Sequence, residues 1–191
     1  EWVWYDTADG NPDDLIAQIG LPCVVKPIDC GSSVGVSIVS DRAALEAALS
    51  EAAKWGRRVL VEKKIVGREL TVGVLDGRAL PPVEIIPKSG FYDYRNKYQG
   101  TTLEICPAEI PAGITSLVSS LSLRAFEVLR LDGYARFDFI LDANGMPWCL
   151  EANALPGMTP TSLLPQEAAA VGISYPDLCE RILLLSMRKK R

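Results

Sequence analysis

The sequence predicts an α+β protein built as two lobes with largely antiparallel sheets. Segments with helical spacing of apolar residues and segments with strand-like alternation follow one another in mixed order. Asp76-Gly77 is a hairpin signal at the end of one strand-like run, and Asn144-Gly145 joins two others. We place the lobe boundary near Glu62, which gives a first lobe of residues 1–61 and a second lobe of residues 62–191.

The first lobe opens with an aromatic strand at residues 1–5. Asn11 and Pro12 begin a helix that Gly20 ends, because Asn caps helices, Pro suits the first turn and Gly suits the residue after the last. Ser40 is predicted to cap a second helix over residues 41–55, whose alanines and leucines recur at helical spacing. Strands are predicted at residues 23–26, 36–39 and 59–63.

The second lobe contains strands at residues 69–75 and 82–87, followed by a polar loop over residues 90–102. A helix is predicted over residues 111–130, with Leu117, Leu121 and Val128 among its buried candidates. A strand pair joined at Asn144-Gly145 follows. Further helices are predicted from about Ser162 and over residues 174–188.

Composition excludes several classes of protein. The 191 residues carry a net charge of −4 and contain no apolar run of about 18 residues, so nothing indicates a nucleic-acid or membrane partner. Five cysteines without a C-x-x-C pair are typical of reduced thiols in a cytoplasm. Because the chain opens without Met, we expect it to be a piece of a longer protein.

The run Gly31-Ser32-Ser33-Val34-Gly35 fits two different chemistries. It matches the G-x-S-x-G nucleophile elbow of serine hydrolases, but that elbow leads from a strand into a helix. Here a strand follows, and the chain has no histidine to act as the base. The run therefore indicates a hairpin tip whose backbone N–H groups hold phosphate.

The segment around Asn144-Gly145 carries the strongest chemical signal. Alternation places Arg136 and Asp138 on one face, and a two-residue turn would pair Asp138 with Glu151 and Arg136 with Asn153. A three-residue turn would break this pairing. Opposed carboxylates repel, so the pattern predicts a divalent cation, although a polar network on an exposed face remains an alternative.

Three further residues point weakly to a nucleotide. Lys26 leads into the glycine-rich loop, where an ammonium group could meet a phosphate. Glu62 and Glu69 flank a short connection that could offer backbone groups to an adenine and a carboxylate to a ribose. Solvated side chains would be the simpler interpretation of all three.

In combination, these residues resemble the D-alanine–D-alanine ligases of the ATP-grasp superfamily. The matching runs occur in family order over nearly the whole chain, and they are Val25–Pro27 with Gly31–Gly35, Glu62-Lys63 with Gly67-x-Glu69, Phe91–Tyr94 with Lys97-Tyr98, Arg136-x-Asp138, and Leu150–Asn153 with Pro156–Thr159. The resemblance implies an ATP-grasp fold whose lobes clasp ATP.

The resemblance also implies a role for each matched residue. ATP would be held by Lys26, Ser33, Glu62, Lys63, Ile65, Glu69, Phe91 and Lys97. Two Mg²⁺ ions, with Mn²⁺ as a substitute, would be bound by Asp138, Glu151 and Asn153. The catalytic and substrate-binding set would be Ser32, Tyr98, Arg136, Gly157, Ser162 and Leu163, with Ser32 and Tyr98 closing the loop of residues 90–102 over the site.

The implied reaction is ADP-forming ligation of two D-alanines through an acyl phosphate, for peptidoglycan synthesis in the cytoplasm, by a homodimer when full length. The family's N-terminal domain is absent, which would impair this chain alone. Thr161 stands where some relatives have histidine, and D-serine is not excluded as the acceptor. The alternatives are an ATP-grasp ligase with another acceptor and a nucleotide-binding module without catalysis.

Overall fold

The computed structural model describes residues 1–31, 33–87 and 102–188. The described chain forms two compact units, one of residues 1–65 and one of residues 66–87 and 102–188. We predicted a boundary near Glu62, and the first unit runs to Ile65 because its last strand continues through Lys63. Among the described residues, every helix is too short or too polar to span a bilayer.

The first unit is a four-stranded antiparallel sheet with two helices on one face. Its elements are β1 (Trp2–Asp6), α1 (Pro12–Ile19), β2 (Cys23–Pro27), β3 (Ser37–Val39), α2 (Arg42–Ala52) and β4 (Arg58–Lys63), with strand order β1-β4-β2-β3. Alternate residues such as Val25, Val59 and Val61 point into a core with Leu15 and Leu45 of the helices. The opposite face carries the other strand residues.

The helix caps follow from short polar side chains. Asn11 accepts a hydrogen bond from the Asp13 backbone N–H at 3.0 Å, which confirms the predicted start of α1. The predicted cap of α2 is wrong by one residue. Asp41, not Ser40, accepts from the Ala44 N–H at 2.8 Å, and the helix ends at Ala52 before a 3₁₀ turn over Ala53–Trp55.

The glycine-rich run lies between the antiparallel strands β2 and β3, as predicted for a hairpin tip. Ser33 and Gly35 adopt positive φ angles of 59° and 72°. Because the chain continues into a strand rather than a helix, the nucleophile-elbow geometry is missing.

The second unit is a six-stranded antiparallel sheet between helices. Its elements are β5 (Gly67–Leu75), β6 (Arg78–Ala79), β7 (Val83–Pro87), β8 (Thr102–Ile105), α3 (Ala112–Val128), β9 (Tyr134–Asp142), β10 (Pro147–Asn153), α4 (Leu163–Ala170) and α5 (Tyr175–Met187). The strand order is β10-β9-β5-β7-β8, with β6 paired to β5. Together the two units confirm the predicted α+β class with antiparallel sheets.

The two faces of this sheet have different partners. Phe137 and Phe139 pack with Val118 of α3 in one core, while Leu164 of α4 and Leu178 of α5 form another on the opposite face. Our choice of buried residues on α3 was partly wrong. Leu121 is partly buried against this core as predicted, but Leu117 and Val128 are exposed, and the buried residues of α3 are Val118 and Ser122.

Candidate functional site

The β9–β10 hairpin carries the candidate site, and it differs from the predicted hairpin in two ways: its loop is longer, and β10 contains a bulge. The Asp142 N–H donates to the Met146 carbonyl at 3.0 Å, so the loop has three residues, and Leu141 faces Pro147. This is the turn length that should break the predicted pairing. A β-bulge between Cys149 and Glu151 then shifts the register back by one residue.

Because the bulge compensates for the longer loop, the pairs that matter are those we predicted. Asp138 faces Glu151 and Arg136 faces Asn153. Asp142 stabilises the loop, since its Oδ1 accepts from the backbone N–H groups of Asn144 and Met146, each at 2.9 Å.

The side chains of these pairs form one connected polar cluster. Arg136 donates to Asp138 through Nε at 2.9 Å to Oδ1 and through Nη2 at 2.8 Å to Oδ2. The Asn153 amide nitrogen donates to Asp138 Oδ2 at 3.1 Å and to Glu151 Oε1 at 2.9 Å. On the other side, Thr71 Oγ1 donates to Asp138 Oδ1 at 2.6 Å. The predicted convergence of Asp138, Glu151 and Asn153 is therefore present.

The charges within the cluster stabilise one another. Burial opposes ionisation of Asp138, but hydrogen bonds and charge from Arg136, with the Thr71 hydroxyl, outweigh it and lower the pKa of Asp138. Burial likewise disfavours the Arg136 cation, yet Asp138 keeps the pKa of Arg136 raised. Asp138 is thus held as an anion at neutral pH.

The donor set of this cluster fits a hard divalent cation. Among the described residues, no group of three His, Cys, Asp or Glu side chains is arranged to hold a metal, so any set here combines two carboxylates with an amide. Oxygen ligands of this kind, completed by water and phosphate, suit Mg²⁺. Asn153 now turns its nitrogen to the acids, and its amide oxygen would have to face the ion for it to act as a ligand.

Two of the predicted substrate residues also lie together. A Cβ placed on Gly157 would lie 3.1 Å from Ser162 Oγ, so glycine leaves that hydroxyl room. Ser162 Oγ also accepts from the Thr159 N–H at 3.0 Å. Leu163, the first residue of α4, is buried.

The predicted nucleotide residues of the first unit include an ion pair. Lys26 of β2 and Glu62 of β4 bridge on the sheet face away from the helices. Lys63 follows on β4 and lies 3.4 Å from Glu1 Oε2, while Ile65 is half-buried in the connection beyond it. Ser33 lies in the hairpin tip.

The remaining predicted residues divide into two groups. Glu69 lies on β5, in the second unit, opposite Ile140 of β9 and Ile85 of β7. Ser32, Phe91, Lys97 and Tyr98 lie outside the described residues, as does almost all of the predicted loop of residues 90–102.

Our sequence interpretation missed two residues of this region. Thr71 of β5 lies opposite Asp138 of β9. The sequence signal for it was a hydroxyl residue at a position of the strand that should be buried in the sheet. Glu167 of α4 is completely buried and accepts from the Gly73 N–H at 2.7 Å. A lone acid between the apolar runs Leu163–Pro165 and Ala168–Ala170 was the signal there.

Comparison with known proteins identifies relatives along most of the chain. D-alanine–D-alanine ligases from Methylacidiphilum infernorum and Anaeromyxobacter dehalogenans are 49% and 48% identical over 166 and 172 residues, which cover 86% and 90% of this chain and 55% of each relative. The chain therefore spans about half the length of the curated relatives it matches.

Solved structures give the same result. The D-alanine–D-alanine ligase of Bacillus anthracis in complex with ATP superposes with a TM-score of 0.85 at 34% identity, over 98% of this chain and 60% of that one. The VanG D-Ala:D-Ser ligase of Enterococcus faecalis gives a TM-score of 0.86 at 26% identity, over 97% and 56%. The expected ATP-grasp fold is thereby confirmed.

Residues 4–184 match the family described as the D-ala D-ala ligase C-terminus, and at this coverage and identity the chain belongs to that family.

Proposed function

We propose that the full-length protein carrying this chain is an ATP-dependent ligase that joins two D-alanines. The observation that carries the proposal is the cluster of Arg136, Asp138, Glu151 and Asn153, which combines a buried cation with two carboxylates and an amide on one face of a hairpin. The match to D-alanine–D-alanine ligases over most of the chain supports it.

The acids and the amide would hold the metal. Asp138, Glu151 and Asn153 would bind two Mg²⁺ ions, with Mn²⁺ as a substitute. Bound there, the ions would supply positive charge to neutralise the negative charge that develops during phosphoryl transfer. Asp138 suits this role because Arg136 and Thr71 keep it ionised and oriented.

The chemistry would proceed in two steps. A carboxylate oxygen of the first D-alanine attacks the γ-phosphorus of ATP, ADP leaves, and an acyl phosphate forms. The amine of the second D-alanine then attacks the acyl carbon, phosphate leaves, and the nitrogen loses a proton to give the amide. Arg136 and the Gly157 backbone would stabilise the oxyanion, an interaction worth about 3 kcal/mol per donor.

The second D-alanine would sit against the start of α4. Ser162 Oγ and the Leu163 backbone would bind its carboxylate, and Gly157 lies close by, since an added Cβ there would be 3.1 Å from Ser162 Oγ. Closure of the loop of residues 90–102 by Ser32 and Tyr98 would exclude water, which would otherwise hydrolyse the acyl phosphate.

The nucleotide-binding roles are proposed residue by residue. In the first unit, Lys26 would bind phosphate in place of Glu62, its present partner, and Ser33 would contribute from the hairpin tip. Glu62, Lys63 and Ile65 would contact the adenine. Glu69 would bind the ribose, and Phe91 and Lys97 would complete the site. A dimeric state and a cytoplasmic location are further expectations from the family resemblance.

The test is D-alanine-dependent phosphate release by the full-length protein with ATP and Mg²⁺. Wild type is expected to turn over, and Glu151→Gln is expected to lose about 100-fold or more in rate, because a carboxylate at a metal site is replaced by a neutral amide. Glu127→Gln, which removes an exposed acid on α3, is the matched control.

The alternatives predict different outcomes. Activity that appears only when D-serine is supplied as the second amino acid would assign the acceptor activity of the VanG-type relative. ATP binding without phosphate release under any of these conditions would leave a nucleotide-binding module and remove the ligase proposal.

A further inference from the structure

Glu167 is a buried carboxyl group that the proposed mechanism does not use. Glu167 lies on α4 with 0% of its surface exposed to solvent, and its Oε1 accepts a hydrogen bond from the Gly73 backbone N–H at 2.7 Å. Oε2 is buried and has no hydrogen-bond partner among the described residues. Buried polar atoms without partners are rare, so this acid requires an explanation.

The sheet explains why an acceptor is needed at this point. β7 pairs with β5 only as far as Thr71, and β6 pairs from Val74 onward, so Gly73 falls between them. Its carbonyl accepts from the Leu80 N–H at 2.8 Å, and its own N–H is left for Glu167. Glu167 therefore supplies a bond that neither neighbouring strand provides.

Gly73 is also the cross-strand partner of Arg136. Both backbone groups of Gly73 point away from β9, so the two residues form a non-hydrogen-bonded pair with Cα atoms about 4.5 Å apart. Side chains of such a pair leave the sheet on the same face and are close neighbours. Because Gly73 has no side chain, the group that occupies the space where its Cβ would lie is a close neighbour of the Arg136 side chain.

Glu167 fills that position. A Cβ on Gly73 would lie 2.4 Å from Glu167 Oε2 and 2.5 Å from Leu164 Cδ1. The glycine and the glutamate are therefore complementary, because a side chain at 73 and the carboxyl group at 167 cannot occupy the same space.

We propose that Glu167 is a positioning residue for Arg136. Glu167 binds the Gly73 N–H and packs where a residue-73 side chain would lie. In this way it fixes the position of the Arg136 guanidinium beside Asp138. This inference rests on the proposed function, in which Arg136 stabilises the oxyanion. Small displacements of such a group are costly, since an error of about 1 Å can reduce the rate by about 100-fold.

The hydrogen-bond role is consistent with a neutral acid. Burial raises the pKa of Glu167 well above its ordinary range, against the opposing effects of the Gly73 N–H and Arg136. A glutamine has nearly the same shape and keeps the oxygen that accepts from Gly73. Glu167→Gln is therefore the conservative variant, and Glu167→Ala removes both the acceptor and the packing.

The experiment measures kcat and KM of the full-length protein for D-alanine and ATP. We expect Glu167→Ala to lower kcat at least 10-fold with less than a threefold change in the KM for ATP, and Glu167→Gln to stay within threefold of wild type in both. The matched control is Glu84→Gln on β7. Glu84 is a buried acid whose carboxylate lies 2.6 Å from the Arg68 guanidinium, and neither residue belongs to the cluster. Glu84→Gln should lower the thermal midpoint with kcat unchanged.

A second pair of variants keeps the test decisive if Glu167→Ala does not fold. Gly73→Ala should lower kcat by pushing the carboxyl group aside, and Gly73→Ala with Glu167→Gln should be no better, because the volume at 167 is kept. A kcat of Gly73→Ala within threefold of wild type would overturn the inference. So would a kcat of Glu167→Ala within threefold, or an equal loss of kcat in Glu84→Gln.

Failure of the proposed function would look different. A wild type without D-alanine-dependent phosphate release removes the ligase and, with it, this role of Glu167. An active wild type whose Glu167 and Gly73 variants keep kcat removes only the positioning role.

Discussion

The amide nitrogen of Asn153 lies 3.1 Å from Asp138 Oδ2, across a hairpin whose loop and bulge each shift the register by one residue. Without the bulge, Glu151 and Asn153 would point to the other face of the sheet. The site thus depends on an irregularity at Leu150 as much as on the identity of its ligands. Substitutions that alter this arrangement should affect the chemistry, whereas substitutions elsewhere should affect only stability.

Asp138→Asn should strongly reduce metal-dependent turnover of the full-length protein. The substitution removes one of two carboxylates and leaves the Arg136 cation without its ionised partner. We expect the rate at saturating ATP to fall by about 100-fold or more, and the Mg²⁺ concentration at half-maximal rate to rise. A Mg²⁺ titration of phosphate release is the measurement. A variant that keeps the wild-type Mg²⁺ dependence would show that Asp138 is not a ligand.

Thr71→Val should separate orientation of Asp138 from its charge. Valine has nearly the shape of threonine but cannot donate to Asp138 Oδ1, a contact of 2.6 Å in the sheet. Loss of a hydrogen bond to a buried charged group should cost about 2 kcal/mol of unfolding free energy. Urea denaturation measures it, and the turnover rate should fall as well.

Thr115→Val on α3 is the control for that substitution. Its hydroxyl makes only a 3.5 Å contact with the Pro111 carbonyl in an exposed turn, so the change in stability should be within about 0.5 kcal/mol. Equal effects of the two variants would mean that the Thr71–Asp138 bond contributes nothing specific.

Glu167 should give stability an unusual pH dependence. Its pKa is raised in the folded state by burial, so the neutral form is favoured on folding. The stability this provides is complete below the unfolded pKa of about 4.3 and is lost as pH rises through the folded pKa. Glu167→Gln lacks this loss, so the variant should gain stability relative to wild type as pH increases from 5 to 8.

Urea denaturation of both proteins across that pH range is the measurement. Asp6 and Asp13 also have lowered pKa values, but they lie in the first unit, so their effects should be common to both proteins and cancel in the difference. Asp138 and Arg136, whose charges act on Glu167, both stay ionised across this pH range. Parallel stability curves for wild type and Glu167→Gln would contradict a raised pKa of Glu167.

The sequence was sufficient for the parts that depend on short-range signals. Alternation assigned Arg136 and Asp138 to one face of β9, and Asn11 identified the start of α1. The turn length was wrong, because Asn144-Gly145 is equally compatible with two-residue and three-residue loops. The pairing of Asp138 with Glu151 was nevertheless correct, since a bulge that no sequence signal predicts restored it.

Other features required the three-dimensional arrangement. Leu117 and Val128 were expected to be buried on α3, but the helix presents Val118 and Ser122 to the sheet, and a long apolar helix does not specify its rotation. The contact of Glu167 with Gly73 joins residues 94 positions apart, so only the packing of α4 on β5 creates it.

The hairpin loop itself provides a final pair of substitutions with opposite expected signs. Gly145 has a φ of +78°, where an L-residue is strained, so Gly145→Ala should destabilise the fold by about 1 kcal/mol. Gly113 lies in the first turn of α3 with nothing within 4 Å of an added Cβ. Because alanine favours helices over glycine, Gly113→Ala should stabilise by up to about 1 kcal/mol. Denaturation midpoints measure both, and a neutral Gly145→Ala would mean that the three-residue loop relaxes to another turn, which would also move Glu151 relative to Asp138.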